Sequence, residues 1–311
     1  MPRVYNLFDI IESGDFLNAK TFKGYTLAIL SAVIYGLMPL MAKHIYAEGI
    51  NPLTLVFLRN LLALPSLALL AFFENKTLKI PLKSIPIISI ISLFGCSLTP
   101  VLLFNSYKYI ATGTATVLHF VYPALIVILG AIFLKKRPSI LTVISVILCF
   151  GGICFFYDKT ANFNLTGAIL ALSSGLAMSV YVILLDLMKN HKVSGFLFSF
   201  YVAAASSVIM FVVCVATNSL TLPKTLLSWG MCLIFAVLVT TLAVVFFQQS
   251  SFIIGGEKTA ILSALEPITS VIIGIIFFNE PVIFKILIGV ILVITASILI
   301  AVSDIKNRQN N

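Results

Sequence analysis

The segment TVLHFVYPALIVILGAIFL, residues 116–134, aligns without gaps with AILSALEPITSVIIGIIFF, residues 260–278, and seven of the 19 positions are identical. The isoleucine and valine matches carry little weight, because apolar helices resemble one another by composition alone. The proline and glycine matches carry more, since Pro123 falls on Pro267 and Gly130 falls on Gly274. The chain therefore contains an internal repeat.

The composition of the whole chain indicates an integral membrane protein. Of the 311 residues, 60% are hydrophobic and 10% are charged, and the mean hydropathy is +1.12. A soluble domain carries about 25% charged residues, so that class is excluded, as are disordered and collagen-like chains. The five cysteines lie in apolar runs and lack metal-ligand spacing. They are interpreted as small buried apolar side chains, and no metal site is expected.

Long uncharged runs predict transmembrane helices. The first run, Gly24–Ala42, holds 19 residues. At about 1.5 Å per residue, that is enough to cross a hydrocarbon core about 30 Å thick. The same test predicts ten spans in all, with these bounds: Gly24–Ala42, Pro52–Phe73, Ile85–Tyr107, Thr112–Leu134, Ser139–Tyr157, Leu165–Leu187, Gly195–Ala216, Leu226–Ile253, Thr259–Asn279 and Ile286–Val302.

The repeat divides these spans into two units of five. A weaker match pairs Gly24 with Gly167 and Ser31 with Ser174. Because five is odd, the second unit enters the membrane from the opposite side. The predicted fold class is an all-α integral membrane protein whose ten transmembrane helices form two inverted five-helix repeats. The predicted divisions are a tail at 1–21, a first repeat at 22–157, a second repeat at 165–303 and a tail at 304–311.

The basic residues predict a multi-pass protein of the cell membrane with both termini in the cytoplasm. This orientation places 14 of the 20 Lys and Arg residues on the cytoplasmic side and five on the other, with Arg59 inside a span. Such a bias is typical of short cytoplasmic loops. The net charge of +9 is therefore interpreted as a topology signal and not as a nucleic-acid-binding surface. The amino-terminal tail is interpreted as disordered, with a short interfacial helix as the alternative.

We expect a single cysteine placed at Lys136 or at Arg308 to be protected from membrane-impermeant thiol reagents in intact cells, because both positions fall on the cytoplasmic side. Labelling is measured before and after the membrane is permeabilised. Labelling of either position in intact cells would overturn the predicted orientation.

Two longer stretches resemble a known transporter family. TGTATVLHFVYPALIVILGAIFLKK at 112–136 and GGEKTAILSALEPITSVIIGIIFFNE at 255–280 are similar to the EamA-domain branch of the drug/metabolite transporter superfamily. The Glu266-Pro267 pair and the run 278–280 are the most specific parts, and the similarity covers Gly24–Ser303. Lys136 departs from the family pattern, which commonly has Glu there. The resemblance implies a ten-helix carrier of small metabolites, with two inverted EamA units around a central cavity.

Ionisable side chains inside the membrane are costly, so three of them are candidates for a substrate or proton site. Glu266 is interpreted either as such a site or as a protonated carboxyl that is hydrogen-bonded between helices. Arg59 is interpreted as a group that bridges helices, with binding of a substrate carboxylate by its planar donors as the alternative. His119 is interpreted as a neutral, hydrogen-bonded side chain, with titration near neutral pH as the alternative.

Polar residues at helical spacing extend this candidate site. Ser263 and Ser270 share a helical stripe with Glu266. Tyr122 is the repeat mate of Glu266, so the two are expected to face one central cavity from opposite halves. Aromatic and amide side chains on other spans could supply walls and hydrogen bonds for a small ligand. These further candidates are Tyr35, Tyr181 and Gln248.

Two prolines are predicted to interrupt their helices. Pro123 and Pro267 lack an amide donor, and each disturbs its helix about one turn earlier. The disturbance near residue 263 would expose backbone carbonyls that could face a cavity.

These observations predict a secondary active transporter that moves a small metabolite, such as an amino acid or a related compound, by alternating access. Export and coupling to protons are left open. The alternatives are a membrane-embedded enzyme and a channel, but the sequence has no HExxH, GxSxG or repeated pore motif. No cofactor is expected. The expected partners are a small-molecule substrate and the lipid bilayer, without nucleic acid, and a homodimer is left open.

Overall fold

The computed structural model describes residues 19–75, 78–133, 140–155, 164–188, 195–254, 259, 262–278 and 284–309. Within these ranges every secondary-structure element is a helix, and turns or irregular segments connect the helices. The helices are α1 (Ala19–Ala47), α2 (Pro52–Asn75), α3 (Leu82–Ser106), α4 (Thr112–His119), α5 (Tyr122–Phe133), α6 (Ile140–Cys154), α7 (Leu165–Met188), α8 (Gly195–Ala216), α9 (Leu226–Ile254), α10 (Leu265–Phe278) and α11 (Phe284–Gln309). Residues 1–18, Lys136 and Glu280 lie outside the described ranges, so the interpretations placed on them stay predictions.

Six of these helices are long and apolar enough to cross a membrane, namely α1, α2, α3, α7, α8 and α9. They confirm the prediction of an all-helical integral membrane protein. The other four predicted spans coincide with shorter apolar helices, which are Thr112–Ile126, Val143–Gly152, Leu265–Phe278 and Leu287–Ala296. The count of ten spans therefore stays a prediction.

The fourth and ninth predicted spans are both interrupted. α4 ends at His119 and α5 begins at Tyr122, while Ser263 and Ala264 form a turn just before α10. Proline removes one helical hydrogen bond, and its ring collides with the carbonyl four residues earlier. For Pro123 that carbonyl belongs to His119, and for Pro267 it belongs to Ser263. Each interruption therefore begins where its proline disfavours a continuous helix.

The third and eighth predicted spans share another irregularity. A π-helical segment covers Leu93–Leu98 in α3, and a second covers Ala236–Ala243 in α9. Their first residues lie 143 positions apart, which is the offset of the weaker sequence match. Such segments often occur at functional sites. Both halves of the chain thus carry the same departure from α-helical geometry.

The contacts of the two halves also correspond. The Ser31 hydroxyl donates to the Ala243 carbonyl at 2.8 Å, and the Ser174 hydroxyl donates to the Thr99 carbonyl at 2.8 Å. Ser31 and Ser174 are repeat mates, and the two acceptors are also related by the repeat to within one residue. The internal repeat found in the sequence is therefore a repeat of three-dimensional contacts.

The core lies between the two halves. α2 packs along α8, α6 packs along α11, α1 packs on α9 and α10, and α7 packs on α3, α4 and α5. Each of these contacts joins a helix of the first half to a helix of the second. A space at the centre of the molecule is therefore bounded by both repeats.

At both ends of α2, hydrogen bonds connect this part of the chain to α8 or to the residues that follow α8. At the start of α2, the Thr54 hydroxyl donates to the Ser219 carbonyl at 3.0 Å, and the Thr221 amide donates to the Thr54 hydroxyl at 3.0 Å. Beyond the end of α2, the Tyr201 hydroxyl donates to the Leu78 carbonyl at 2.6 Å. These hydrogen bonds hold α2 against α8 on one side of the central space.

Candidate functional site: a polar cavity between the repeats

A cavity of about 60 Å³ lies between the two halves. Its polar lining comes from six helices, through Tyr35 of α1, Arg59 of α2, Cys96 of α3, His119 of α4, Tyr181 of α7 and Glu266 of α10. Met38, Leu103 and Met178 add apolar walls. A space of this size and polarity suits several ordered water molecules. A bound metabolite would require the surrounding helices to separate further.

Glu266 reaches the cavity because α1 crosses α10 closely at this level. A Cβ atom added at Gly36 would lie 2.4 Å from Thr269 Cβ and 3.0 Å from the Glu266 carbonyl oxygen. Only a residue without a side chain fits this crossing. The Glu266 side chain is 7% exposed and lies in the first turn of α10, just before Pro267. A carboxyl buried in a membrane protein calls for a proton, a cation or a hydrogen-bond donor as its partner.

Arg59 brings a permanent positive charge to the same cavity. Its side chain is 4% exposed, and its Nε atom has no hydrogen-bond partner. The groups that interact electrostatically with the guanidinium are Cys96, Tyr35 and Tyr181. The guanidinium carbon also lies 5.9 Å from the centre of the Phe104 ring, within the range of a cation–π contact. The charge is therefore enclosed among neutral groups.

His119 ends α4 and is held by the seventh helix. Its Nδ1 atom lies 2.9 Å from the Ser174 hydroxyl, which donates its single proton to the Thr99 carbonyl. Nδ1 is therefore the donor in this contact, and Nε2 of the neutral ring is left as an acceptor. The His119 and Tyr122 rings lie 5.6 Å apart. This geometry fits the interpretation of His119 as a neutral, hydrogen-bonded side chain.

Tyr181 is positioned by a chain of side chains that runs away from the cavity. The Gln248 amide nitrogen donates to the Tyr181 hydroxyl at 3.0 Å, and the Ser199 hydroxyl lies within hydrogen-bond distance of both the Gln248 amide oxygen and the Gly195 carbonyl. Gln248 is buried and does not line the cavity. The chain links α7, α9 and α8.

The other sequence-based candidates lie behind the cavity wall. Tyr122 is buried, and its side chain interacts with Ser263. The Ser270 hydroxyl donates to the Thr116 hydroxyl at 3.0 Å, which joins α10 to α4. None of Tyr122, Ser263 and Ser270 lines the cavity. Tyr122 and Glu266 were expected to face one cavity from opposite halves. Glu266 faces this cavity, and Tyr122 does not.

Cys96 and Gly95 are among the lining residues that were absent from the sequence-based candidates. Cys96, interpreted only as a small buried side chain, is a free thiol that lines the cavity beside Arg59. Gly95 precedes it, and a Cβ atom there would lie 2.2 Å from the Tyr181 ring. Gly95 was the one feature of the sequence that could have indicated this part of the lining, because a glycine inside an apolar span often marks a place where two helices approach closely.

The repeat and the cavity can be compared with known proteins. A model of the EamA-like transporter family matches residues 22–157 and again residues 165–302. The chain belongs to the EamA-like transporter family. The two EamA matches fall on the two halves that also repeat their contacts, so this integral membrane protein is built from two EamA units.

Two curated relatives are similar to about half of this EamA protein. It is 26% identical over 159 residues to an uncharacterized transporter of Archaeoglobus fulgidus, covering 51% of this chain and 56% of the relative. It is 28% identical over 145 residues to a WAT1-related protein of Arabidopsis thaliana, covering 44% of this chain and 40% of the relative. The chain thus spans about half the length of the curated relatives that it matches.

A solved structure shares the fold of the EamA protein. This crystal structure aligns with 89% of the present chain and 95% of its own chain, with a TM-score of 0.65 and 14% sequence identity. At this identity the likeness shows the fold alone.

Proposed function

We propose that this EamA protein is a secondary active transporter that moves a small metabolite, an amino acid or a related compound, by alternating access. The observation that carries the proposal is the cavity with ionisable side chains that lies between the repeats and takes its lining from both. Inverted repeats allow one central site to open to either membrane face, because each half can adopt the arrangement of the other.

Glu266 is the proposed proton site. Among the described residues that line the cavity, Glu266 carries the one acidic side chain, and it is buried. A carboxyl in this setting can alternate between a proton and a substrate cation as its partner. Proton uptake at one face and release at the other would then drive the substrate, with export as the proposed direction.

The test uses purified protein in sealed vesicles that are preloaded with one unlabelled amino acid at a time. A transporter exchanges external labelled substrate for internal substrate, so we expect saturable counterflow of at least one compound. An ohmic current without saturation would support a channel instead. Chemical alteration of the added compound would support a membrane-embedded enzyme.

A further inference from the structure

The cavity contains a hydrogen-bond donor that lacks an acceptor. Arg59 is buried, its Nε–H has no partner, and its neighbours Cys96, Tyr35 and Tyr181 carry no carboxylate. Guanidinium remains charged at every relevant pH, and an enclosed cation without an anion is strongly unfavourable. Glu266 lines the same cavity but is not among the groups that act on the guanidinium, so a bound anionic group would supply a partner for part of the transport cycle.

Tyr181 supplies a second donor to the same space. Its hydroxyl oxygen already accepts a hydrogen bond from the Gln248 amide at 3.0 Å. The single proton of the Ser199 hydroxyl lies within reach of two acceptors, the Gln248 amide oxygen and the Gly195 carbonyl at 2.8 Å. When the Gln248 amide nitrogen donates to Tyr181, Gln248 does not take the Tyr181 proton, and that proton can point into the cavity that Tyr181 lines.

We propose that Arg59 and Tyr181 form an oxyanion site that binds the carboxylate of a small organic acid, and that Gln248 is the positioning residue that orients the Tyr181 hydroxyl. The planar guanidinium matches a planar carboxylate, and a hydroxyl donor completes its coordination. The inference rests on the proposed function and narrows its substrate to carboxylates. A substrate that also carries an amine would place that cation near Glu266, which lines the same cavity.

Gln248 provides a test that separates this role from simple packing. Gln248→Glu keeps the side-chain size and, when ionised, offers only acceptors, so the Tyr181 proton would turn away from the cavity. Gln248→Met keeps similar bulk and takes no proton, so Tyr181 could still donate to a ligand. A merely structural role predicts that Met would be the more disruptive replacement, because it leaves Ser199 and Tyr181 without their partner.

The experiment measures thermal stabilisation of the purified full-length protein by matched pairs of probes. The pairs are propionate with propionamide and alanine with alaninamide, each at about 10 mM, since a ligand of the folded state raises its apparent stability. Inorganic phosphate at the same concentration tests for general anion binding. The variants are Arg59→Gln, Tyr181→Phe, Gln248→Glu and Gln248→Met.

We expect at least one acid to bind about tenfold more tightly than its amide, a difference of about 1.4 kcal/mol. This preference should be lost in Arg59→Gln and Gln248→Glu, reduced in Tyr181→Phe and kept in Gln248→Met. If Arg59→Gln fails to fold, the contrast between Gln248→Glu and Gln248→Met decides. The proposal is overturned if no acid stabilises the protein, if acid and amide bind equally, if phosphate binds as tightly as the best acid, or if Gln248→Glu keeps the preference.

The oxyanion site and the proposed transport can fail separately in these experiments. Acid-selective binding without counterflow in vesicles would support the oxyanion site and contradict the transporter mechanism. Counterflow of a compound whose acid and amide forms bind equally tightly would support the transporter mechanism and contradict the oxyanion site.

Discussion

Replacing Glu266 with glutamine is expected to leave the protein folded and inserted while lowering transport by at least about tenfold. The amide keeps the shape of the side chain and its capacity to accept a hydrogen bond, but it can neither ionise nor exchange a proton. Glu266 lines the cavity and is buried, so the change acts at the proposed proton site. Uptake into vesicles is measured with and without a proton gradient.

The matched control is Glu48→Gln. Glu48 is an exposed acid that follows α1 and lies outside the cavity, so this variant should transport like the parent protein. Normal transport by Glu266→Gln from about pH 5 to about pH 8 would show that Glu266 is structural or stays neutral. Proton coupling would then have to be sought at His119.

Gly36→Ala is expected to destabilise the protein by about 1–3 kcal/mol, because overpacking a close helix crossing forces the backbones apart. The added methyl group would lie 2.4 Å from Thr269 Cβ and 3.0 Å from the Glu266 carbonyl. Since the same crossing positions Glu266, transport should fall together with the apparent melting temperature. Both are measured on purified protein.

Gly230→Ala is the control for the glycine change itself. A Cβ atom at Gly230 meets nothing within 4 Å, so this variant should be neutral or stabilised by up to about 1 kcal/mol through helix propensity. Combining Gly36→Ala with Thr269→Gly removes the clashing Cβ atom. The double variant should therefore lose less stability than the two single changes added together. Equal losses in Gly36→Ala and Gly230→Ala would contradict the close crossing.

Much of the fold could be predicted because it depends on local chemistry. Uncharged runs long enough to span a bilayer marked the six long helices, and the matching Pro123 and Pro267 marked the repeat. The structure adds interruptions just before both prolines, as expected from the missing amide and the ring clash. The ionisable residues Glu266, Arg59 and His119 stood out because charges inside a membrane are rare, and all three line the cavity.

The face that each helix presents to the cavity could not be predicted from the sequence. Tyr122 and Glu266 are repeat mates, yet only Glu266 lines the cavity. At the crossing over α10 the first half has Gly36, whereas the mate position holds Ser179, whose hydroxyl lies 2.8 Å from the Gly175 carbonyl and 3.1 Å from the Tyr122 carbonyl. The two halves thus cross their partner helices with different side chains, and the sequence alignment does not show the effect of that difference on the cavity.

The same limit applies to Gly95 and Cys96. A glycine and a cysteine in an apolar span are ordinary components of packed helices. Their place in the cavity depends on the π-helical segment Leu93–Leu98 and on the Tyr181 ring packed against Gly95. Both are consequences of contacts between α3 and α7, which lie far apart in the sequence.

Alternating access is tested most directly by chemical modification of Cys96 in a variant that keeps it as the single cysteine. Cys96 is buried and lines the cavity, while Cys232 is buried in the core outside the cavity. A small membrane-impermeant thiol reagent is added to one face or the other of vesicles with a single protein orientation. If the cavity opens alternately to both faces, Cys96 should be modified from either face, and a variant with Cys232 alone should stay unmodified from both. Modification of Cys96 from one face only, or from neither, would contradict the account.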